Sequence, residues 1–287
     1  MSAPRCYKLT RTFKRHATVR SACIVKTLLI CHDGDLLDQQ GMARWLASFS
    51  NLVGMVVLRE TQRRIWRRIR RELKRSGLLR FADVLAFRLY YSLALSAQDQ
   101  KWQARELERL CRIYPPLPKV PVLHSHSPNT SEAEQFIRKH DPDVMVARCK
   151  TLLKENIFSI PARGTFVLHP GICPEYRNAH GCFWALTNRD LDKVGMTLLR
   201  INPGVDTGPI YGHFGYAFDE VRESHFVIQN RVVFDNLEKL QNKFLEINDG
   251  KAIPLDTSDR PSATWGQPWF TSYLKWKYQA RKRRARG

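Results

Sequence analysis

The chain has 287 residues, of which 43% are hydrophobic and 10% aromatic, with no low-complexity tract, which is enough for one or two domains around a real core. Its formal net charge of +20 sits on three segments: residues 1–26 carry seven Lys/Arg and no acid, 59–80 carry ten against two Glu, and 275–287 carry seven and no acid, so the remainder is close to neutral. No apolar run approaches the roughly 20 residues of a membrane helix, and the seven cysteines are scattered without a CxxC pair, which argues against a zinc site or a disulfide framework and for reduced thiols in a cytoplasmic protein.

The first 26 residues are basic and hydroxylated, a faint transit-peptide signature. An unstructured extension or an overlong start accounts for them better, and residues 1–23 are taken as a basic extension. "KTLLICHDG" (26–34) then reads as a buried strand ending in a turn. "LLDQQGMARWLASF" (36–49) has helical spacing at Leu37, Met42, Trp45, Leu46 and Phe49, and "LVGMVVL" (52–58) is a second β-branched run. Strand, helix and strand in so short a span open a doubly wound parallel sheet.

Residues 61–95 interrupt that alternation with one or two helices. Ile65, Trp66, Ile69 and Leu73 form an apolar stripe on an arginine-rich helix. Three uses compete: a solvated helix covering the sheet with its stripe, a contact with an anionic membrane surface, and a contact with nucleic acid. The alternation resumes at "VPVLHSH" (120–126). A helix follows from about Ser131 to His140, with Ser131 and Glu134 spaced as a capping box. His124 and His126 share one side of a strand, but no nearby carboxylate or cysteine completes a metal set. "DVMVA" (143–147) and "TFVLH" (165–169) are further buried strands around the short helix "TLLKENIFSI". "HGCFWALTN" reads as helical, 195–201 and 212–218 as extended, and about 222–248 as one long helix. These elements give one α/β domain over 24–250 and a short aromatic and basic appendage over 251–287.

Ligands of an open parallel sheet bind beyond the carboxyl ends of its strands, and "TFVL" delivers His169 there. Pro170 and Pro174 stiffen the loop that follows, and Gly171 leaves room above the ring. The second notable stretch is "NPGVDTGPI" (202–210), where Asp206 alone would be a turn aspartate. Beside His169 it would hold the imidazole charged and oriented.

Together, "HPGICPEYR" and "GMTLLRINPGVDTGPI" resemble the catalytic domain of the folate-dependent formyltransferases, a family that includes methionyl-tRNA, glycinamide ribonucleotide and amino-sugar N-formyltransferases. The likeness is strongest over 141–218. It implies a Rossmann-like, doubly wound α/β fold with a mostly parallel sheet and helices on both faces. It also implies 10-formyltetrahydrofolate as co-substrate, no metal, and a catalytic trio of Asn, His and Asp. His169 and Asp206 match two of the three, and the asparagine position is Val167. Valine cannot donate a hydrogen bond to the formyl oxygen, and losing one such donor typically costs on the order of 10²–10³ in rate. Asn178 and His180 are the replacement donors considered.

By the same resemblance, folate lies against the main chain of "VARCK", with Val146, Arg148, Cys149 and Lys150, and of the residues before Asp206, with Pro203 and Val205. Arg148 and Lys150 either meet the glutamate tail or are solvated rim charges. The activity implied is formyl transfer to the amino group of a small, anionic acceptor, an amino sugar or related metabolite. The 37 residues after 250 argue against a tRNA acceptor. Two alternatives remain open: a 10-formyltetrahydrofolate hydrolase or altered one-carbon transferase, and a non-catalytic folate-fold binding protein held on nucleic acid or membrane by its basic helix.

Overall fold

The computed structural model describes residues 25–286, without the side chains of Arg63, Arg64, Ile65, Arg67, Arg68 and Arg71. The basic extension expected over 1–23 lies outside the described residues. Seven strands form the main sheet: β1 (Lys26–His32), β2 (Asn51–Leu58), β3 (Val122–Ser125), β4 (Val144–Ala147), β5 (Gly164–His169), β7 (Met196–Arg200) and β8 (Ile210–Phe214). Their order is β3-β2-β1-β4-β5-β7-β8. The first five are mutually parallel, while β7 runs antiparallel to β5 and β8 antiparallel to β7. The chain winds outward from β1 through β2 to β3, then crosses to β4 on the other side. The sheet is thus doubly wound and Rossmann-like. Two-residue strands β6 (Arg177–Asn178) and β9 (Thr264–Trp265) pair separately.

Apolar runs such as that of β1 follow from burial on both faces of a parallel sheet. Leu29, Cys31, Val57, Val146, Phe166 and Leu168 face one core, shared with α1 (Ala43–Phe49), α6 (Gly181–Asn188), α7 (His225–Phe234) and α8 (Leu237–Asn248). Leu28, Ile30, Val56, Met145 and Ala147 face the other, closed by Ile137 of α4 (Ser131–His140) and Ile157 of α5 (Glu155–Phe158). Each such fully buried Leu or Ile contributes about 1.5–3 kcal/mol, so the sheet centre is the rigid floor on which the loops at its edge are mounted.

Several local expectations need correction. The cap of α4 is Thr130, whose hydroxyl accepts from Ala133 N at 3.1 Å. Ser131 is already helical, and Glu134 pairs with Arg138 at 2.8 Å instead of closing a capping box. The long helix expected over 222–248 is two helices, because Asp235 and Asn236 interrupt the register; Ser224 caps the first and Asn236 precedes the second. The arginine-rich segment is α2 (Gln62–Tyr90), broken at Gly77 (φ 74°), and runs through a π-helical turn at Tyr91–Leu95 into α3 (Ser96–Ile113). Its stripe does not cover the sheet: Trp66 is 61% exposed and Leu73 37%. The aromatic appendage is integral to the fold. Helix α9 (Phe270–Arg284) buries Tyr273 and Trp276 against α2 and α6.

Candidate active site

Strand β5 carries His169 to the carboxyl edge of the sheet and leaves its side chain 6% exposed. The imidazole is held from both sides. Nε2 lies 2.8 Å from the Tyr176 carbonyl oxygen, and Nδ1 lies 3.5 Å from Asp206 Oδ2. Each ring nitrogen therefore faces an oxygen atom. The Nε2 contact is a direct hydrogen bond. The Nδ1 contact is longer than one.

The loop geometry depends on the missing side chain of Gly171. A Cβ there would stand 2.7 Å from the Tyr176 carbonyl oxygen, 2.8 Å from Gly181 Cα and 2.8 Å from His169 Nε2. The glycine does not leave open room above the ring, as the sequence suggested; it permits the close approach that lets the imidazole reach Tyr176. The loop is tied down by Thr197 of β7, which is fully buried. Its hydroxyl donates to the Gly171 carbonyl at 2.7 Å and accepts from Cys173 N at 2.9 Å. His213 of β8 adds a bond from Nε2 to the Cys173 carbonyl at 2.9 Å.

Three consecutive residues then join this loop to the one bearing Asp206. The Tyr176 carbonyl holds His169, Arg177 donates to the Val205 carbonyl at 3.1 Å, and Asn178 donates its backbone N–H to Asp206 Oδ2 at 2.8 Å. Asn178 and Asp206 both adopt left-handed backbone (φ 77° and 51°), a conformation Asn and Asp tolerate better than most residues. The second loop is braced by Asn202 Oδ1, which accepts from Gly204 N at 3.1 Å and from Thr207 Oγ1 at 2.8 Å.

The C-terminal segment closes the back of the site. Strand β9 pairs with β6, Trp265 stacks on Tyr176 (5.5 Å, 16°), and its indole N–H donates to the Glu175 carbonyl at 2.8 Å. Glu175 pairs with Arg260 and Lys193, each at 2.7 Å. Nothing in the sequence pattern marked this contribution, because a two-residue strand has no periodicity. Arg177 and Thr197 lay inside the quoted motifs, but their tethering roles needed the loops' positions.

The other expected site residues are placed as follows. Val167 is half-buried and packs on Cys173, Leu199 and Ile210, so its position offers an apolar surface beside His169. Asn178 turns its side-chain amide to the Trp265 carbonyl at 2.5 Å. Its backbone serves Asp206, and its side chain braces β9 in place of the donor role expected. His180 is engaged with Gln229 at 3.1 Å, and burial pushes its pKa down to about 4, so the ring is neutral near pH 7. Val146 is fully buried with its backbone between β1 and β5, which removes it from the ligand-facing edge. Arg148 is not a rim charge. Its half-buried guanidinium turns inward, 3.0 Å from Asp38 and 3.1 Å from the Leu168 carbonyl. Cys149 directs its thiol to the Thr151 carbonyl, and burial pushes its pKa up to about 11. Lys150 is exposed, and its backbone N–H donates to His32 Nε2 at 3.0 Å. Pro203 is exposed and Val205 half-buried on the second loop. His124 and His126 are both exposed, and the described residues hold no cluster of three or more His, Cys, Asp or Glu suited to a metal ion.

Residues 92–240, more than half of the chain, match the family described as Formyl transferase. The chain belongs to this formyl transferase family. By sequence it is similar to a methionyl-tRNA formyltransferase of Thermotoga neapolitana, at 30% identity over 137 residues covering 45% of this chain and 44% of that protein. The chain spans about half the length of the curated relatives it matches. In fold it is similar to a sugar N-formyltransferase from a Shewanella species (TM-score 0.51, 12% identity, 84% of this chain and 76% of that one). A 4-N formyltransferase from Francisella tularensis is similar to the same degree (TM-score 0.51, 10% identity, 89% and 87%). Both His169 and Asp206 lie within the matched residues. The expectation against a tRNA acceptor gains no support from relatives that carry the methionyl-tRNA name.

Proposed function

We propose that the chain transfers a formyl group from 10-formyltetrahydrofolate to the amino group of a small, anionic acceptor, an amino sugar or related metabolite. The observation that carries this reading is the imidazole of His169, fixed at Nε2 by Tyr176 and presenting Nδ1 toward Asp206 at the open edge of the sheet. When the acceptor amine attacks the formyl carbon, negative charge develops on the formyl oxygen. The imidazolium stabilises that charge. Asp206, beside the ring, takes the proton from the amine, directly or through water; the tetrahedral adduct then collapses, the bond between the formyl carbon and N10 breaks, and tetrahydrofolate leaves with that proton on N10. Val167, Cys149 and Ile201 are half-buried apolar side chains packed on one core at this edge, a floor suited to a flat ring, and Lys150 stands exposed on the adjoining loop as a partner for a carboxylate tail.

The acceptor's charge is argued from a cleft of about 450 Å³ beyond Trp265, between α2 and α9. Arg75, Arg80 and Lys275 face it against a single acid, Glu72, and Ser76, Thr187, Asn188 and Ser272 supply hydrogen-bonding groups. Such a lining suits phosphate and sugar hydroxyls. Trp265 connects it to the catalytic pair, since its carbonyl accepts from Asn178, whose backbone holds Asp206.

Val167 favours one second reading, folate binding with slow or no transfer, because the apolar side chain supplies no donor to the formyl oxygen. Calorimetric titration with a non-reactive tetrahydrofolate analogue establishes binding. A formyl-acceptor screen read by mass spectrometry, with amino sugars, their nucleotide-linked forms and charged initiator tRNA as separate arms, distinguishes transfer from hydrolysis and one acceptor from another. Turnover that survives within a few-fold in His169→Ala or Asp206→Asn would overturn the site assignment.

A further inference from the structure

Beyond Gly77, helix α2 has two unlike sides. Val84 and Phe87 are buried, and Phe87 packs on Tyr273 of α9 at 5.3 Å and on His225 of α7 at 5.1 Å. The outward side is equally apolar. Leu78 is 76% exposed, Leu85 47%, Leu89 62% and Leu93 79%. Their spacing places Leu78, Leu85 and Leu89 on one stripe of α2, the exposed Ala82 and Ala86 extend it, and Leu93 follows in the π-helical turn. A helix whose inner face already meets the core has no folding reason to carry a second leucine face. The other half of α2, before Gly77, carries Trp66 at 61% exposure and most of the ten Lys/Arg of residues 59–80. Helix α9, packed beside α2, adds the exposed Leu274 and Tyr278 and ends in Arg281 and Lys282, followed by Arg283 and Arg284, which pair with Glu220 and Asp219.

We infer that this face is a docking surface for anionic lipid headgroups, with the part of α2 beyond Gly77 lying in the plane of a bilayer surface, its leucines in the acyl boundary, and the basic segment before Gly77 supplying the attraction to the headgroups. Charge decides the occupant. A second copy of the chain would bring the same patch to a twofold axis, placing two strongly basic segments side by side. Nucleic acid would neutralise the arginines but leave the leucines on water or on phosphate. An anionic bilayer takes both: each Lys or Arg near such a surface contributes about 1 kcal/mol, and the leucines gain by partial burial. The attachment is peripheral, since among the described residues no helix is long and apolar enough to cross a membrane.

The test is flotation of the full chain with vesicles of phosphatidylcholine alone and of phosphatidylcholine mixed with phosphatidylglycerol. Binding is expected to the mixed vesicles and to fall with added salt, with little to the neutral ones. The double variant Leu85→Ser/Leu89→Ser should bind the mixed vesicles about ten-fold more weakly or worse, with an unchanged circular dichroism spectrum and thermal midpoint. Wild-type-like binding by that variant, or equal binding to both vesicle types, overturns the inference. So does sedimentation showing a dimer that the same substitutions dissociate, or tight RNA binding by a chain that ignores the mixed vesicles. None of these readouts depends on formyl transfer.

Discussion

Thr197→Val isolates what holds the histidine loop in place. Valine keeps the branched shape that β7 accommodates and the volume of a fully buried position, but it deletes one hydroxyl. That hydroxyl donates to the Gly171 carbonyl at 2.7 Å and accepts from Cys173 N at 2.9 Å, and both partners are buried. Leaving a buried backbone group unpaired costs about 1–3 kcal/mol, so the two together are worth about 2–6 kcal/mol. The loss falls on the loop between His169 and Tyr176 and not on the sheet. The expected result is a chain that still folds cooperatively, with stability lowered by part of that amount and formyl transfer lowered about 30-fold or more, since about 1.4 kcal/mol corresponds to a factor of ten. Urea unfolding and steady-state turnover measure the two effects. Thr197→Ser, which keeps the hydroxyl, should recover most of the activity. Unfolding free energy within about half a kcal/mol of wild type, together with unchanged turnover in Thr197→Val, would refute the argument that this bond pair positions the site.

Two further outcomes follow from the same geometry. Burial pushes the pKa of His225 down to about 3, helped by neighbouring His180 and Lys277, and pushes that of His180 down to about 4, so both rings are neutral in the fold near pH 7. The unfolded chain binds protons there from about pH 6.5 downward; stability is therefore full above that value and falls with pH through the window down to about 3. His225→Phe, which suits the aromatic cage of Phe87, Tyr91 and Phe183, should give thermal midpoints that fall less steeply between pH 6.5 and 4, and a slope parallel to wild type counts against this assignment. Asn178→Gly tolerates the left-handed backbone and keeps the N–H that holds Asp206, so kcat should stay within a few-fold, whereas Gly171→Ala drives a Cβ into the backbone of Tyr176 and Gly181 and should lower kcat by two orders of magnitude or more. Equal kcat in those two variants would contradict the roles given to both loops.

The elements that fill both cores were readable as sequence because apolar runs and helical spacing are local properties. β1, β2, β4, β5 and α4 all fall within a few residues of their expected places. His169 and Asp206 were singled out by the resemblance of their two motifs, since Asp206 alone reads as a turn residue, and the fold brings them within 3.5 Å of each other. The supports of the site were not legible. Tyr176 acts through its carbonyl and Asn178 through its N–H, which any residue type possesses. Arg148 shows the converse. A guanidinium after a strand reads as a surface charge, and only the buried Asp38, more than a hundred positions earlier, turns it inward. Val167 sits where the resemblance expects an amide, and the apolar neighbours that receive it come from the next loop and strands.

Strand β9 carries a consequence for the order in which the molecule comes into being. The seven-stranded sheet, His169 and Asp206 are all present once β8 has been synthesised. The partners of Glu175, Tyr176 and Asn178 in Arg260 and Trp265 arrive later, with the segment that lays β9 on β6. The loop of His169 is thus braced by the last part of the chain to be made, the same part that supplies Tyr273 and Trp276 to the core.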